Sequence, residues 1–520
     1  MRTMELPERL QANACGVPLD GRRPDRGDGS FVNPVLPGDH PDPCVLKDGD
    51  DYYLSCASQQ FLPGVVIWHS RDLVNWSPVG AALRRPVGSV CSVDLARHAG
   101  RYFLYMAVLQ GHRTALLVLH AQDIRGPWSE PVDLGLRDCL DPCHIVAEDG
   151  SRHLFVNGVR RVGLTDDGLA TQGRLELAHT VALPHDAQPA YTAAGPRLFR
   201  RDGFFYMLCA AGGAGDPPGA HTLAVARSRS VRGPWENCAF NPLQGADTAT
   251  WTTGGNACLV PGPDGDWWLL CHGQETGCRT LGRQGLLQPV DWGRDGWFRH
   301  RASALGRPLH KPGRAASSPC LPSRCDDFSR DRLGTQWQFF DAGPNDLQRV
   351  RHAAHGLLLA GKGSGLSDCS PLTCVAMDPS YEAELEFELH GSVQGGLALF
   401  HDARSFAGIG IAEGRMHTYS YGQQHRWMQQ AVHGRRHRLR LTHEHRRVSF
   451  QHAADDGPWN HTPWLHDVSA LHLCRSDSMQ ALRLALFSAG SGEVSLKRFT
   501  YRSLGVCPPK SLVVEVAPEP

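Results

Sequence analysis

Between residues 31 and 310 the hydrophobic positions fall into short bursts rather than helical stripes. Each burst is a brief apolar strand, a glycine-containing turn and a second strand rich in aromatic residues. Five successive segments follow this plan: DPCVLKDGDDYYLSCA from Asp42, DLARHAGRYFLYMAV from Asp94, DPCHIVAEDGSRHLFVNG from Asp141, AGPRLFRRDGFFYMLCAAGG from Ala194 and CLVPGPDGDWWLLCHG from Cys258. Asp-Gly or Ala-Gly between apolar strands predicts a hairpin, because glycine accepts the positive φ such turns need. A 3.6-residue period is scarce throughout. A unit that returns about every fifty residues, each a small antiparallel sheet, predicts a β-propeller, and five units predict five blades.

The pattern changes after HKPGRAASSPCLPS, rich in Pro, Ser and Gly. Beyond it come alternating segments: AELEFELHG, GGLALFHDA, FAGIGIAEG, RMHTYSY, HRLRLTHEHRRVSFQHA, ALRLALFSAG and VSLKRFTYRSL. Period-2 alternation with turn residues between segments predicts an antiparallel β-sandwich of jelly-roll type. The expected organisation is an N-terminal extension (1–30), a propeller (31–310), a linker (311–323), a sandwich (324–505) and a loose tail (506–520). The basic, His-rich run from His433 to Arg447 reads as the solvated face of two strands, its charges alternating with Leu439, Leu441, Val448 and Phe450.

Length agrees with two domains, since 520 residues exceed the roughly 250–300 at which a single core stops growing. Lys plus Arg equals Asp plus Glu at 53 each, and no run of like charge stands out, so the footprint of a nucleic-acid or anionic-membrane binder is missing. The expected partner is neutral. The amino terminus lacks an apolar signal region, and no window approaches the roughly 18 apolar residues of a membrane span; a soluble, cytoplasmic protein is expected. The 17 cysteines are odd in number and show no paired CxxC spacing, so most are expected to be small buried apolar side chains.

Candidate chemistry begins at Asp42, set between two prolines in GDHPDPCVLKDGDDYYL. Propeller blades are radial, so corresponding strand starts converge on the central channel; Asp42, Asp94 and Asp141 are then expected to face one cavity. Taken singly, each is equally at home as an ordinary turn aspartate; recurrence in register favours the shared cavity.

With these residues in view, the chain from about residue 31 to 505 resembles glycoside hydrolase family 43, the β-xylosidase and α-L-arabinofuranosidase family, in the subgroup with a carboxy-terminal β-sandwich. The resemblance rests on NPVLPGDHPDP, PGVVIWHSRDLVNW, ARSRSVRGPWE, LGRQGLLQPVDW, DDFSRDRLGTQWQF and the GLALF strand, Gly396 to Phe400. It implies inverting hydrolysis of terminal pentosides in oligosaccharides, with a carboxylate base, a carboxylic acid and a further Asp that tunes the acid. By motif Asp42 is similar to the base and Asp141 to the pKa-tuning Asp. Where the family carries its acid in T-E-G-P-H-L, this chain reads TAAGPRL, which puts Ala194 at the acid position. Further departures accompany it: GHAD becomes GNAC with Asn256 and Cys258, a Glu becomes Gln284, an aromatic wall residue aligns with Gln59, and a subsite Trp aligns with Cys91. Asp94 and Arg283, the latter similar to the family's sugar-contacting arginine, are retained. No cofactor is expected, and the central calcium of some relatives loses its His to Asn256. Three readings stay open: a working glycosidase drawing its proton from another carboxyl such as Asp216, Glu236, Asp247 or Glu275; a catalytically impaired sugar-binding protein; and an enzyme whose altered wall serves a different sugar.

Overall fold

The computed structural model describes residues 22–505 apart from 158, 181–190, 214–221, 244–247, 301–304, 314–322, 355 and 472–479. Most of the expected linker and tail therefore lies outside the described residues. Five four-stranded antiparallel sheets follow one another along the chain. The first is built from Cys44–Asp48, Asp51–Ser55, Gly64–Ser70 and Ser77–Leu83, the second from Ser89–His98, Arg101–Gln110, Arg113–Ala121 and Val132–Arg137. Cys143–Val146, Arg152–Val156, Arg160–Leu164 and Thr171–Leu177 make the third; Tyr191–Arg201, Phe204–Gly213, Thr222–Ser228 and Glu236–Asn237 make the fourth. The fifth is Trp251–Pro261, Trp267–Glu275, Gln284–Trp292 and Phe298–His300. This is the expected five-bladed propeller, with the innermost strand of each blade first in sequence.

Core packing lies between the blades. Phe31, Tyr52, Leu54, Trp68 and Trp76 meet Val260, Trp268 and Leu270 where the fifth blade returns to the first, and Tyr105, Val118, Leu154 and Val162 join the second to the third. The ring closes without a strand shared between first and last blades. Instead Ser30–Phe31 pairs with Leu309–His310, and Asn33 holds Leu287 through both its amide oxygen and its amide nitrogen, each at 2.9 Å.

The second domain comprises two antiparallel sheets, of eight and seven strands. The expected strands are present, together with Gln338–Phe340, Val350–Ala353, Gly356–Ala360, Leu372–Val375, Gln423–Ala431 and Asn460–Asp467, which alternation alone did not single out. The eight-stranded sheet takes its last strand from the propeller: Phe61–Leu62, in a connection of the first blade, pairs with Phe339 and Phe340. One hydrophobic cluster consequently runs from Val65, Leu104 and Met106 of the propeller through Phe339 to Leu441, Phe499 and Tyr501 of the sandwich.

One expectation is corrected in part. In Arg436–Glu444 the arginines face outward, but His437 and His443 point inward and are buried. The imidazoles take the inward phase of the strand because a neutral ring can bury its carbon edge; His443 Nδ1 lies 3.1 Å from the Pro379 carbonyl, and burial pushes its pKa down to about 4. The 13 cysteines among the described residues are free, and all but Cys91 and Cys325 are buried.

Candidate active site

Two layers of side chains ring the propeller axis. Hairpin pairing fixes their register: Cys44 faces Ser55, Asp94 faces Tyr105, Cys143 faces Phe155, Arg197 faces Leu208 and Cys258 faces Leu270. These five form the deeper layer. The layer above, two residues earlier in each copy, is Asp42, Ser92, Asp141, Gly195 and Asn256. The expectation that Asp94 shares the cavity of Asp42 and Asp141 is therefore corrected: two residues along a strand keep the same facing but shift the side chain by about 7 Å. Ala194 and Cys258 likewise are not the register equivalents of Asp42. The error has a simple source, because counting each copy from its most conspicuous residue does not preserve phase across the bulges at Val90/Ser92, Ala194/Arg197 and Thr253/Ala257.

In the deeper layer Asp94 is an internal counter-charge. Its Oδ1 lies 3.3 Å from Arg197 Nη1 and accepts the Cys44 thiol, while its Oδ2 accepts the His144 backbone N–H at 2.8 Å. Arg197 also donates to the carbonyls of Pro142 and Val93, each at 2.9 Å. Four blades are thereby tied to one ion pair. Burial pushes the Asp94 carboxyl up, against the opposing pull of Arg197.

The upper layer holds the exposed chemistry. Asp42 and Asp141 both adopt a φ of 52°, left-handed backbone that aspartate tolerates better than most residues, and both precede a proline that opens the inner strand. Asp42 is 6% exposed. Its Oδ1 accepts Asn256 Nδ2 at 2.7 Å and its Oδ2 accepts Arg283 Nη1 at 3.1 Å. Its backbone N–H donates to His272 Nδ1 at 3.1 Å, and that nitrogen also lies 3.6 Å from Asp42 Oδ1. Burial alone would raise the carboxyl; the Arg283 guanidinium, with His272 and then the Asn256 amide in support, outweighs it and holds Asp42 below the usual carboxylate range.

Asp141 goes the other way. Its backbone N–H donates to Ser92 Oγ at 2.8 Å, and its Oδ2 accepts the Gly195 N–H at 3.1 Å. Burial and the negative charge of Asp42 push its carboxyl up. Two carboxyls on one channel thus have pKa values driven apart, the condition under which one serves as base and the other as acid.

Ala194 lies next to this pair, one residue before the Gly195 N–H that binds Asp141, and offers only a methyl group. A side chain at Gly195 would displace Asn256: the glycine φ is +58°, and a Cβ there would lie 1.9 Å from Asn256 Oδ1. That Oδ1 is buried without a protein partner. On the rim, Gln59 and Val90 exchange backbone hydrogen bonds at 2.9 Å, Gln59 Oε1 accepts Ser89 Oγ at 3.2 Å, and the partly exposed Cys91 occupies the bulge between Val90 and Ser92.

Of the suggested substitute carboxyls, the two among the described residues are not placed for the task. Glu275 is bound at 2.7 and 2.9 Å by Arg22 and at 3.2 Å by Gln284 Nε2. Glu236 sits on the outermost strand of the fourth blade, paired with Arg227. Asp216 and Asp247 lie outside the described residues. Asn256 turns Nδ2 toward Asp42, and among the described residues there is no cluster of three or more His, Cys, Asp or Glu that could hold a metal. His272, Ser92 and Gly195 were not singled out from the sequence. His272 stands on the second strand of its hairpin, where only the pairing that sets it beside Asp42 reveals it.

Comparison with known proteins agrees with this geometry. The family model for glycosyl hydrolases family 43 matches residues 31–298. A non-reducing end α-L-arabinofuranosidase of Bacteroides ovatus is 29% identical over 338 residues, covering 60% of this chain and 61% of that protein. A xylan 1,3-β-xylosidase of a Vibrio species is 28% identical over 314 residues, covering 52% and 57%. The chain thus spans about three fifths of the length of these relatives. The crystal structure of the GH43 protein BlXynB from Bacillus licheniformis superposes with a TM-score of 0.81 at 22% identity, over 91% of this chain and 100% of that one, a likeness of fold. The match of the family model over the propeller, set beside that architecture, places the chain in glycosyl hydrolase family 43.

Proposed function

We propose that the chain is an inverting hydrolase of terminal pentosides, of β-xylosidase or α-L-arabinofuranosidase type, in which Asp42 is the base and Asp141 has taken over proton donation from the missing glutamate at Ala194. The observation that carries this reading is the opposite displacement of the two carboxyls on one channel. Asp42, ionised and clamped by Arg283 and Asn256, removes a proton from water as that water attacks the anomeric carbon. Asp141, protonated more readily than an ordinary aspartate, delivers a proton to the departing oxygen. Inversion calls for about 6.5–9.5 Å between the two groups, leaving room for the water. The relatives' recorded activities on arabinofuranosides and xylosides support the pentose assignment.

An aspartate is one methylene shorter than the glutamate it replaces, so its reach to the leaving oxygen is poorer. General acid catalysis typically supplies about 10² to 10⁴ in rate, and substrates whose leaving groups need little protonation escape most of that loss. Aryl xylosides or arabinofuranosides of acidic phenols are therefore expected to be cleaved slowly, and unactivated xylo-oligosaccharides far more slowly. A leaving-group series measures this: kcat/KM should fall steeply as the phenol becomes less acidic, Asp42→Asn should abolish turnover of every member, and Ala194→Glu should raise turnover of the poor leaving groups by about 10² or more. A flat series, or brisk cleavage that survives Asp42→Asn, overturns the reading. The second reading, a sugar-binding protein on a disabled hydrolase frame, draws on the simultaneous loss of ordinary side chains at Ala194, Cys91 and Gln59; binding of xylo-oligosaccharides without any turnover, even in Ala194→Glu, would select it.

A further inference from the structure

Propeller and sandwich meet across a cleft of 1440 Å³, walled by Pro78–Arg85 of the first blade, Trp128 of the second, and Asp326, Arg330 and Trp337 of the sandwich side. Adjoining it, and sharing Pro78, Thr335 and Gln336 with its lining, is an inner pocket of 50 Å³ bounded by Asp39, His40, Trp68, Arg324, Gln338 and Arg483. Two guanidinium groups are buried there, Arg324 at 4% and Arg483 at 5% exposure. Arg483 donates Nη1 to Gln338 Oε1 at 2.8 Å and lies 3.4 Å over the ring of Phe61. Its Nε is buried with no protein partner, and no carboxylate of the described residues forms an ion pair with it.

Carboxylates are few on the wall of this pocket. The one carboxylate on the wall, Asp39, spends Oδ1 on the Arg283 backbone N–H at 2.9 Å, and burial pushes its pKa up. His40 adds no charge, being pushed down to about 3 by burial and by Arg324 and Arg483. Arg483 itself is lowered to about 10, by burial first, with the repulsion of Arg324 added and the pull of Asp39 opposing. A buried guanidinium with an unsatisfied N–H and a like charge beside it is costly unless an anion completes it.

We infer that the inner pocket binds one small monovalent inorganic anion, of halide size, held by Arg483 Nε between the propeller and the sandwich. Size excludes larger candidates, since a single water takes about 30 Å³ of liquid volume and a sugar ring or an oxyanion with its own hydrogen-bond shell exceeds the room present. The route in also favours an anion on balance: Arg84, Arg85, Arg125, Arg330, Arg332 and Arg498 line the outer cleft beside Glu130, Asp326 and Asp327, and an excess of positive charge raises local anion concentration. The site lies directly behind the segment that carries Asp42. His40 N donates to the Arg283 carbonyl at 2.7 Å and Asp39 receives the Arg283 N–H, so a bound anion steadies the backbone of both Asp42 and its guanidinium partner.

The test uses the full chain at constant ionic strength, with sodium chloride exchanged for sodium gluconate, whose anion is too large for the pocket. Thermal unfolding is expected to rise saturably with chloride, by roughly 2 °C or more at saturation, and not with gluconate. Crystals soaked in bromide should give an anomalous peak against Arg483 Nε, and Arg483→Gln should lose the chloride response. Should that variant fail to fold, broadening of the ³⁵Cl resonance by the wild-type protein, reversed by bromide, reads the same site. Equal unfolding temperatures in the two salts, a chloride response retained by Arg483→Gln, or a water bridging Arg483 to Asp39 in bromide-soaked crystals would each overturn the inference. None of these readouts depends on glycosidase activity.

Discussion

At the scale of single residues the channel works by opposed environments. Asp42 is surrounded by donors, whereas burial and the charge of Asp42 act on Asp141, so the two carboxyls are shifted in opposite directions. A pH dependence follows. On the proposed mechanism turnover requires Asp42 ionised, so it would fail as pH falls through the lowered pKa of Asp42, and Asp141 protonated, so it would fail as pH rises through the raised pKa of Asp141. The pH profile of kcat/KM on an activated aryl glycoside should therefore be bell-shaped, with its acid limb below the usual aspartate value near 3.9 and its alkaline limb above it. Asp141→Asn should remove the alkaline limb together with most of the rate. Gly195→Ala offers a second residue-level check. The added methyl would collide with Asn256 Oδ1, so Asn256 must swing away from Asp42, and a misplacement of that size is expected to lower kcat/KM by about 10²-fold, while circular dichroism of the folded protein stays close to wild type.

At the scale of elements, the inner strands position most of the ring, His272 and Arg283 are added from the second strand and from just before the third strand of the fifth blade, and the outermost strands add nothing. The sequence is legible in the same proportion. Inner hairpins such as Arg101–Gln110, buried along most of its length, announce themselves by apolar and aromatic runs. The outer Thr171–Leu177 has no buried residue, and Glu236–Asn237 is two residues long, so neither leaves a hydrophobic period to read. Asp42 and Asp141 were legible because motif and repeat agreed on them, whereas Asn256 and Arg283 were legible through the family resemblance alone. Asp94 was assigned to the wrong depth, since bulges of one residue are invisible in a strand pattern yet reset the phase of all that follows. The buried Asp94–Arg197 pair gives this scale its prediction. Arg197→Met strands a carboxylate among Cys44, Cys143 and Cys258 and is expected to destabilise by about 3–5 kcal/mol, measured by urea unfolding. Replacing both partners together, Asp94→Leu with Arg197→Met, should recover much of that loss.

At the scale of the whole molecule, the two domains share their interior. Val65, Leu104 and Met106 belong to the same continuous cluster as Phe339, Leu441 and Tyr501, and Leu482 N–H donates to the Thr280 carbonyl at 3.2 Å across the junction. Scanning calorimetry of the intact chain should accordingly give one cooperative transition, with the calorimetric and van't Hoff enthalpies in agreement. Phe339→Ala should lower that transition as a whole, at about 3–5 kcal/mol, rather than split it. Two separated transitions would show that the junction packs without energetic coupling. This coupling was the least legible part of the sequence: Phe61 and Leu62 are only two apolar residues in a propeller connection, with no local signal that they complete a sheet more than two hundred positions away.

That borrowed strand limits what can be recombined. A jelly roll of this type, cut out and grafted behind a different catalytic ring, would arrive with a raw margin at Gln338–Phe340, its amides and carbonyls looking for the neighbour that Phe61–Leu62 used to be. The two halves are thus expected to travel through evolution, and through any engineering effort, as a single indivisible part.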